Sequence, residues 1–173
     1  MTTKKFLTVV SGTTTLTEAP SSSAGAGDAN KLIATNSSGL LDTTFLPPGV
    51  ELQTVLLPTS ENLTAGDFVN IFNNSGTPTA RKADASNGRQ AFGYVLTGVT
   101  SPANATVYLS GRNTAVTGAT VGTVFLSATT AGGFSATAPA TPGANVILQR
   151  LGNAISATSI VFENDPPITL TVV

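Results

Sequence analysis

From about Val50 onward the chain is broken by turns of small residues roughly every 8 to 14 positions. The turns include Thr64–Asp67, Asn73–Gly76, Ser86–Gly88, Ser101–Asn104, Ala131–Gly133 and Pro142–Asn145. Between them lie short segments rich in β-branched and aromatic side chains. Strands are expected at Glu51–Leu56, Asp67–Phe72, Thr79–Ala83, Ala91–Thr97, Ala105–Ser110, Thr123–Ser127, Phe134–Thr137, Val146–Gly152 and Ser159–Glu163. A helix needs an apolar stripe at 3.6-residue spacing over about three turns, and no segment supplies one. The pattern predicts an all-β fold, a small antiparallel β-barrel or sandwich.

Side-chain alternation places these segments against a core. In Asp67–Phe72, Phe68 and Asn70 share one face while Val69 and Ile71 share the other, as in a strand covered on both sides. In Thr106–Ser110, Val107 and Leu109 face one way, and Thr106, Tyr108 and Ser110 the other. The hydrophobic fraction, 40%, is enough to build a core. Only 10% of residues are charged, against about 25% in an ordinary soluble domain. Thr, Ser, Gly, Ala and Asn stand in their place, so much of the surface is expected to lie against other protein.

Residues 1–49 read differently. One strand-like segment, Phe6–Val10, is followed by a Ser/Thr/Gly/Ala tract from Ser11 to Asn30, of which Ala19–Asp28 reads as linker when free. Short strands are expected at Lys31–Thr35 and Leu40–Leu46, around an Asn36–Gly39 turn, before Pro47-Pro48-Gly49 stops the segment. A pure linker would not carry Leu32, Ile33, Leu40, Leu41, Phe45 and Leu46. These side chains, with Phe6 ahead of them, mark a long extended N-terminal arm that orders on a partner. Fully extended, fifty residues reach at most about 165 Å. The division expected is therefore an anchoring arm at 1–49, a β domain at 50–165 and a C-terminal strand segment at 166–173. That last segment is apolar and alternating, and is expected to pair within its own domain or with a neighbouring subunit.

Chemistry finds few carriers. The chain has neither His nor Cys, which removes the commonest general base, the commonest metal ligand and any disulfide. The nearest carboxylate pairs, Glu61 with Asp67 and Glu163 with Asp165, lie at strand ends or turns. Glu163–Asp165 lacks the carboxylate density of a Ca²⁺ loop. Ser23–Gly27 lacks the lysine and the following helix of a phosphate loop. A net charge of −1, with Arg81, Lys82 and Arg89 clustered around Asp84, offers no footprint for nucleic acid. No apolar run reaches the ~18 residues of a membrane span. No enzyme activity and no cofactor are expected.

Several strings resemble proteins encoded in the head-structure regions of tailed bacteriophages. They are Lys5-Phe-Leu-Thr-Val-Val-Ser-Gly12, the run from Ser22 to Pro47, Leu63-Thr-Ala-Gly-Asp-Phe-Val69, Ala91-Phe-Gly-Tyr-Val95 and Val107-Tyr-Leu-Ser-Gly111. Ile147-Leu-Gln-Arg-Leu-Gly152, Ile160-Val-Phe-Glu163 and Pro167-Ile-Thr-Leu170 continue the likeness to the end of the chain. Such proteins are capsid decoration, cement or head-fibre proteins. The resemblance implies a homotrimer on the outer surface of the virion capsid that binds the major capsid protein and bridges neighbouring subunits. Phe6, Leu32, Ile33, Leu40, Leu41, Phe45 and Leu46 would then be the capsid-binding residues. The alternative is a head or tail fibre, a receptor-binding protein whose β domain contacts host surface glycans.

Overall fold

A computed structural model describes residues 4–46, 53–140 and 145–171 of the chain. The expected stop at Pro47–Gly49, the first residues of the Glu51–Leu56 strand and most of the Pro142–Asn145 turn lie outside the described residues. The chain divides into two compact units, Met1–Glu51 and Leu52–Val173. It is all-β with antiparallel sheets, none of them closed into a barrel.

The described residues of the first unit form a hairpin, β1 (Lys5–Val10) and β2 (Thr13–Glu18), paired from Lys5↔Glu18 to Val10↔Thr13. Its two-residue turn places Ser11 at φ 51° and Gly12 at φ 81°. Positive φ at both positions matches the right-handed twist of the flanking strands. β2 lies in the Ser/Thr/Gly/Ala tract ahead of Ala19–Asp28, where no strand was expected. The Ser-Gly turn and the alternating Thr13-Thr-Thr-Leu-Thr17 are the signals for it.

After the hairpin, short-range polar bonds organise the chain. A 3₁₀ turn at Gly25–Asp28 is closed by the Asp28 carboxylate, which accepts from the Ala24 N–H at 2.6 Å and from Lys31 Nζ at 2.9 Å. The expected turn at Asn36–Gly39 is present: Asn36 Oδ1 accepts from the Ser38 and Leu40 N–H groups, and the Asn36 N–H donates to the Leu40 carbonyl at 2.8 Å. The strands expected on either side are not. Lys31–Thr35 has no ladder, and Thr43–Phe45 is a second 3₁₀ turn whose preceding Asp42 accepts from the Thr44 N–H and hydroxyl. A local side-chain cap has displaced a strand there.

The second unit holds two five-stranded sheets. One has the order β3 (Thr54–Pro58), β7 (Asn104–Tyr108), β6 (Gly93–Tyr94), β4 (Phe68–Asn74), β5 (Thr77–Lys82). Its outer strands meet at a lone Thr59↔Ala80 bridge, where the Ser60 N–H donates to the Ala80 carbonyl. The sheet thus curls around Leu57, Leu63, Val69, Ala80, Val95, Ala105 and Val107 without forming a closing ladder. The other has the order β10 (Phe134–Ser135), β9 (Gly122–Leu126), β12 (Arg150–Ser156), β13 (Ser159–Phe162), β8 (Gly111–Asn113).

A second apolar cluster joins the two sheets. Phe68 and Tyr94 from the first meet Phe162 from the second, with ring centroids 5.7 and 5.8 Å away. Val124, Leu126, Leu151 and Ile160 complete it, all fully buried. Strand β4 therefore serves both clusters, Phe68 facing one and Val69 the other. Its two-sided alternation is the sequence sign of that position.

The expected single strand Val146–Gly152 is split. β11 (Ile147–Leu148) pairs with β14 (Ile168–Thr169), while β12 pairs with β9 and β13. The C-terminal segment thus finds its partner inside its own unit. The break falls at Gln149, whose fully buried amide accepts from the Ala91 N–H at 2.7 Å and donates to the carbonyls of Ala91 and Asp165, both at 2.9 Å. Those bonds occupy Ala91 outside the ladder, and β6 spans only Gly93–Tyr94 of the expected Ala91–Thr97. At Gly152 a register shift and a φ of +119° bring the backbone against the Val161 carbonyl, where a Cβ would collide. This bulge admits glycine alone without rearrangement.

Candidate functional site

The hydrophobic residues of the first unit are the most unusual feature of the molecule. Among the side chains described for residues 4–46, none is buried. Leu7, Val9, Leu16, Leu32, Ile33, Leu40, Leu41 and Leu46 are between 37% and 71% exposed. Isolated exposed leucines are ordinary. Eight large aliphatic side chains in one segment that buries none are not.

The structure sets these residues in two groups. Leu32 and Ile33 follow the first 3₁₀ turn, and Leu40, Leu41 and Leu46 flank the second. Two bonds double this stretch back: the Ala34 N–H donates to the Pro20 carbonyl at 2.9 Å, and the Ser23 N–H donates to Thr44 Oγ1 at 2.7 Å. Phe45 is half-buried within the second 3₁₀ turn, and Phe6 is half-buried on β1 opposite Thr17.

Sequence reasoning missed the second group, on the hairpin. Register puts Leu7 directly across from Leu16, with Val9 two residues along the same face. Phe6 and Thr8 point the other way, and the Thr8 hydroxyl meets those of Thr15 and Thr17 at 3.0 and 2.7 Å. The hairpin is therefore sided, with threonine hydroxyls on one face and bare aliphatics on the other. A two-stranded hairpin alone is marginal in water, so the aliphatic face is a surface in want of cover.

Ionisable groups in the first unit serve its turns. Hydrogen bonds from the Ala24 N–H and from Lys31 hold the Asp28 carboxyl below its ordinary pKa. The Thr44 hydroxyl and N–H do the same for Asp42.

In the second unit the carboxylates noted from sequence are likewise occupied structurally. Glu61 Oε1 accepts from the Lys82 N–H at 2.7 Å and faces Arg89 at 4.0 Å. Asp67 pairs with Lys82 Nζ at 3.1 Å and accepts from the Thr64 N–H at 2.8 Å. Glu163 and Asp165 both accept from Arg150 Nη1, raising the guanidinium's pKa. Arg81 lies 4.1 Å above the Phe72 ring and donates from Nε to Asn70 Oδ1 at 2.9 Å; desolvation, with Arg89 nearby, lowers its pKa. These contacts bind strand to strand or strand to turn. Among the described residues no helix is long and apolar enough to cross a membrane.

Comparison with known proteins returns no matching family model, no matching characterised protein and no matching solved structure.

Proposed function

We propose that this chain is a non-enzymatic structural protein of a tailed-phage virion, attached through its first unit to the outer surface of the head. There it binds the major capsid protein and cements neighbouring subunits. The observation that carries the reading is the contrast in burial. Among its described residues the first unit leaves eight large aliphatic side chains exposed and buries none, while the second packs two apolar clusters of its own. A segment of that kind gains its stabilisation on a partner, since burying apolar surface is worth about 25 cal/mol per Å².

The resemblance to head decoration proteins supplies the partner. A capsid pressed outward by packaged genome is strengthened by a ligand that spans subunit seams. Several modest anchors on one arm reach high avidity without one large interface. A homotrimeric hub would multiply those anchors by three. Phe6, Leu32, Ile33, Leu40, Leu41, Phe45 and Leu46 are the proposed contacts, and Leu7, Val9 and Leu16 join them.

Co-sedimentation with capsids lacking the protein tests the reading. Full-length chain is expected to bind in stoichiometric amount and to raise the temperature at which the particles break, while a version beginning at Val50 does neither. Full-length chain that fails to bind capsids would remove the proposal.

A further inference from the structure

The first sheet of the second unit carries a concave site on its outer face, of about 290 Å³, lined by Thr97, Val99, Asn104, Thr106 and Tyr108. Strand β7 makes it by alternation. Ala105 and Val107 point inward and are fully buried, so Asn104, Thr106 and Tyr108 point outward. Thr97 and Val99 form the opposite wall from the segment after β6.

The walls are held in place before any ligand arrives. Val99 and Leu63 exchange two backbone hydrogen bonds of 2.9 Å. The Ser101 hydroxyl donates to the Thr59 carbonyl at 2.9 Å, and the Ser101 N–H donates to Asn62 Oδ1 at 2.9 Å. Thr59 in turn donates from its N–H and its hydroxyl to the Ala103 carbonyl. The Tyr108 ring stacks on Tyr94 at 5.5 Å and 14°, and Tyr94 is itself buried in the core.

What the site offers is uncommitted. Among the described residues the side chains of Thr97, Asn104, Thr106 and Tyr108 form no hydrogen bond, for the bonds that tie this region use other groups. Together they present three hydroxyls and one carboxamide, each able both to donate and to accept. Val99 and the Tyr108 ring add apolar surface, and no charged side chain lines the site. A pyranose has the matching chemistry: a ring of hydroxyls that donate and accept, around C–H faces that pack on aromatic or aliphatic groups. The absence of charge selects against phosphate, sulfate and carboxylate ligands.

We propose that this site binds a neutral hexose unit of a glycan. The inference rests on the β domain alone and stands or falls separately from attachment to a capsid. An open site of this size, with a handful of polar contacts, fits affinity on the order of 1 mM for a single sugar, which repetition on a multivalent particle would raise.

The test is titration of the full-length, ¹⁵N-labelled protein with glucose, galactose, mannose and N-acetylglucosamine, followed by amide chemical shifts. For at least one sugar, saturable shifts are expected, centred on Thr97, Val99, Asn104, Thr106 and Tyr108. Asn104→Ala and Thr106→Ala, both exposed positions outside the core, should each weaken binding about three- to tenfold with an otherwise unchanged spectrum. Tyr108→Phe, which keeps the ring, should weaken it less than Asn104→Ala. No saturable shift with any of the four sugars, or shifts centred elsewhere, would overturn the proposal. So would equal binding by Asn104→Ala and Thr106→Ala.

Discussion

The two units of this chain use similar residues to opposite ends. Both are rich in Thr, Ser, Gly and Ala, both contain Leu and Val in alternating segments, and both make turns with Asn, Asp and Gly. In Leu52–Val173 the alternating segments find one another, and Phe68, Tyr94, Leu126, Leu151 and Ile160 end almost without solvent contact. Among the described residues of Met1–Glu51, a hairpin and two 3₁₀ turns use up the local hydrogen bonds, and no side chain is buried. The difference lies in the number of strands. Five strands paired in a sheet make a surface worth covering, while two do not make one that can be covered from within.

Substitutions should separate the units cleanly. The largest effect is expected from Phe162→Ala, which removes the ring linking Phe68 and Tyr94 across the two sheets. A loss of about 3–5 kcal/mol is expected, measured by denaturant unfolding. Tyrosine fluorescence suits this experiment, because the two tyrosines, Tyr94 and Tyr108, are both in the second unit and there is no Trp. The comparison would break if Phe162→Ala left the tyrosine transition where it was.

Next comes Gln149→Leu, which keeps side-chain volume but strands the buried Ala91 N–H and the carbonyls it serves. A cost of about 1–3 kcal/mol follows from leaving such groups unpaired. Amide exchange should show the loss first at Ala91 and at the β11–β14 pair. Protection there as strong as in the parent protein would mean that the amide does not hold the sheet switch.

Within the first unit the expected effects on stability are small. Leu40→Ser and Leu16→Ser should each change the tyrosine-reported unfolding by less than about 0.5 kcal/mol, since neither side chain is buried. Capsid binding, measured by co-sedimentation, should fall in both. A stability loss as large as that of Phe162→Ala would show that these leucines pack within the free protein.

The smallest effect is with acid. Asp28 and Asp42 have folded-state pKa values below their ordinary ones. Their contribution is therefore fully present above the unfolded pKa of about 4 and is lost as pH falls through the lower folded value. The Ala24 and Thr44 amides should lose exchange protection below about pH 4, while those of β9 and β12 keep theirs. Equal loss in both regions would mean that the turns and the core respond to acid as one body.

Much of the second unit was legible in the sequence because turn chemistry is local. Asn-Ser-Gly, Ser-Asn-Gly and Ala-Gly-Gly mark chain reversals wherever they occur, and the segments between them have few options but strands. β4 was recognisable as doubly covered from Phe68-Val-Asn-Ile71 alone. What escaped was set by long-range partners. β8 hides in Gly111–Asn113, a poor strand former, because Asn113 is bound at a distance, its Nδ2 donating to the Gly66 carbonyl at 2.9 Å. The split at Gln149 depends on Ala91, 58 residues away. In the first unit the hydrophobic side chains between Leu32 and Leu46 could be picked out directly, but the Leu7–Leu16 face could not until the Ser11-Gly12 turn set its register.

By itself, then, the sequence determined the all-β class, the places where the chain must turn, the residues able to form a core and the poverty of catalytic groups. Those properties follow from backbone preference and side-chain chemistry, which act within a few residues. Only the tertiary structure decided which strands pair, where a sheet changes partner, and that none of the hydrophobes described in residues 4–46 is buried while Phe68, Val107, Leu126, Leu151 and Ile160 of the second unit are. Burial depends on what arrives opposite a side chain, and no residue carries that information about its neighbours in space.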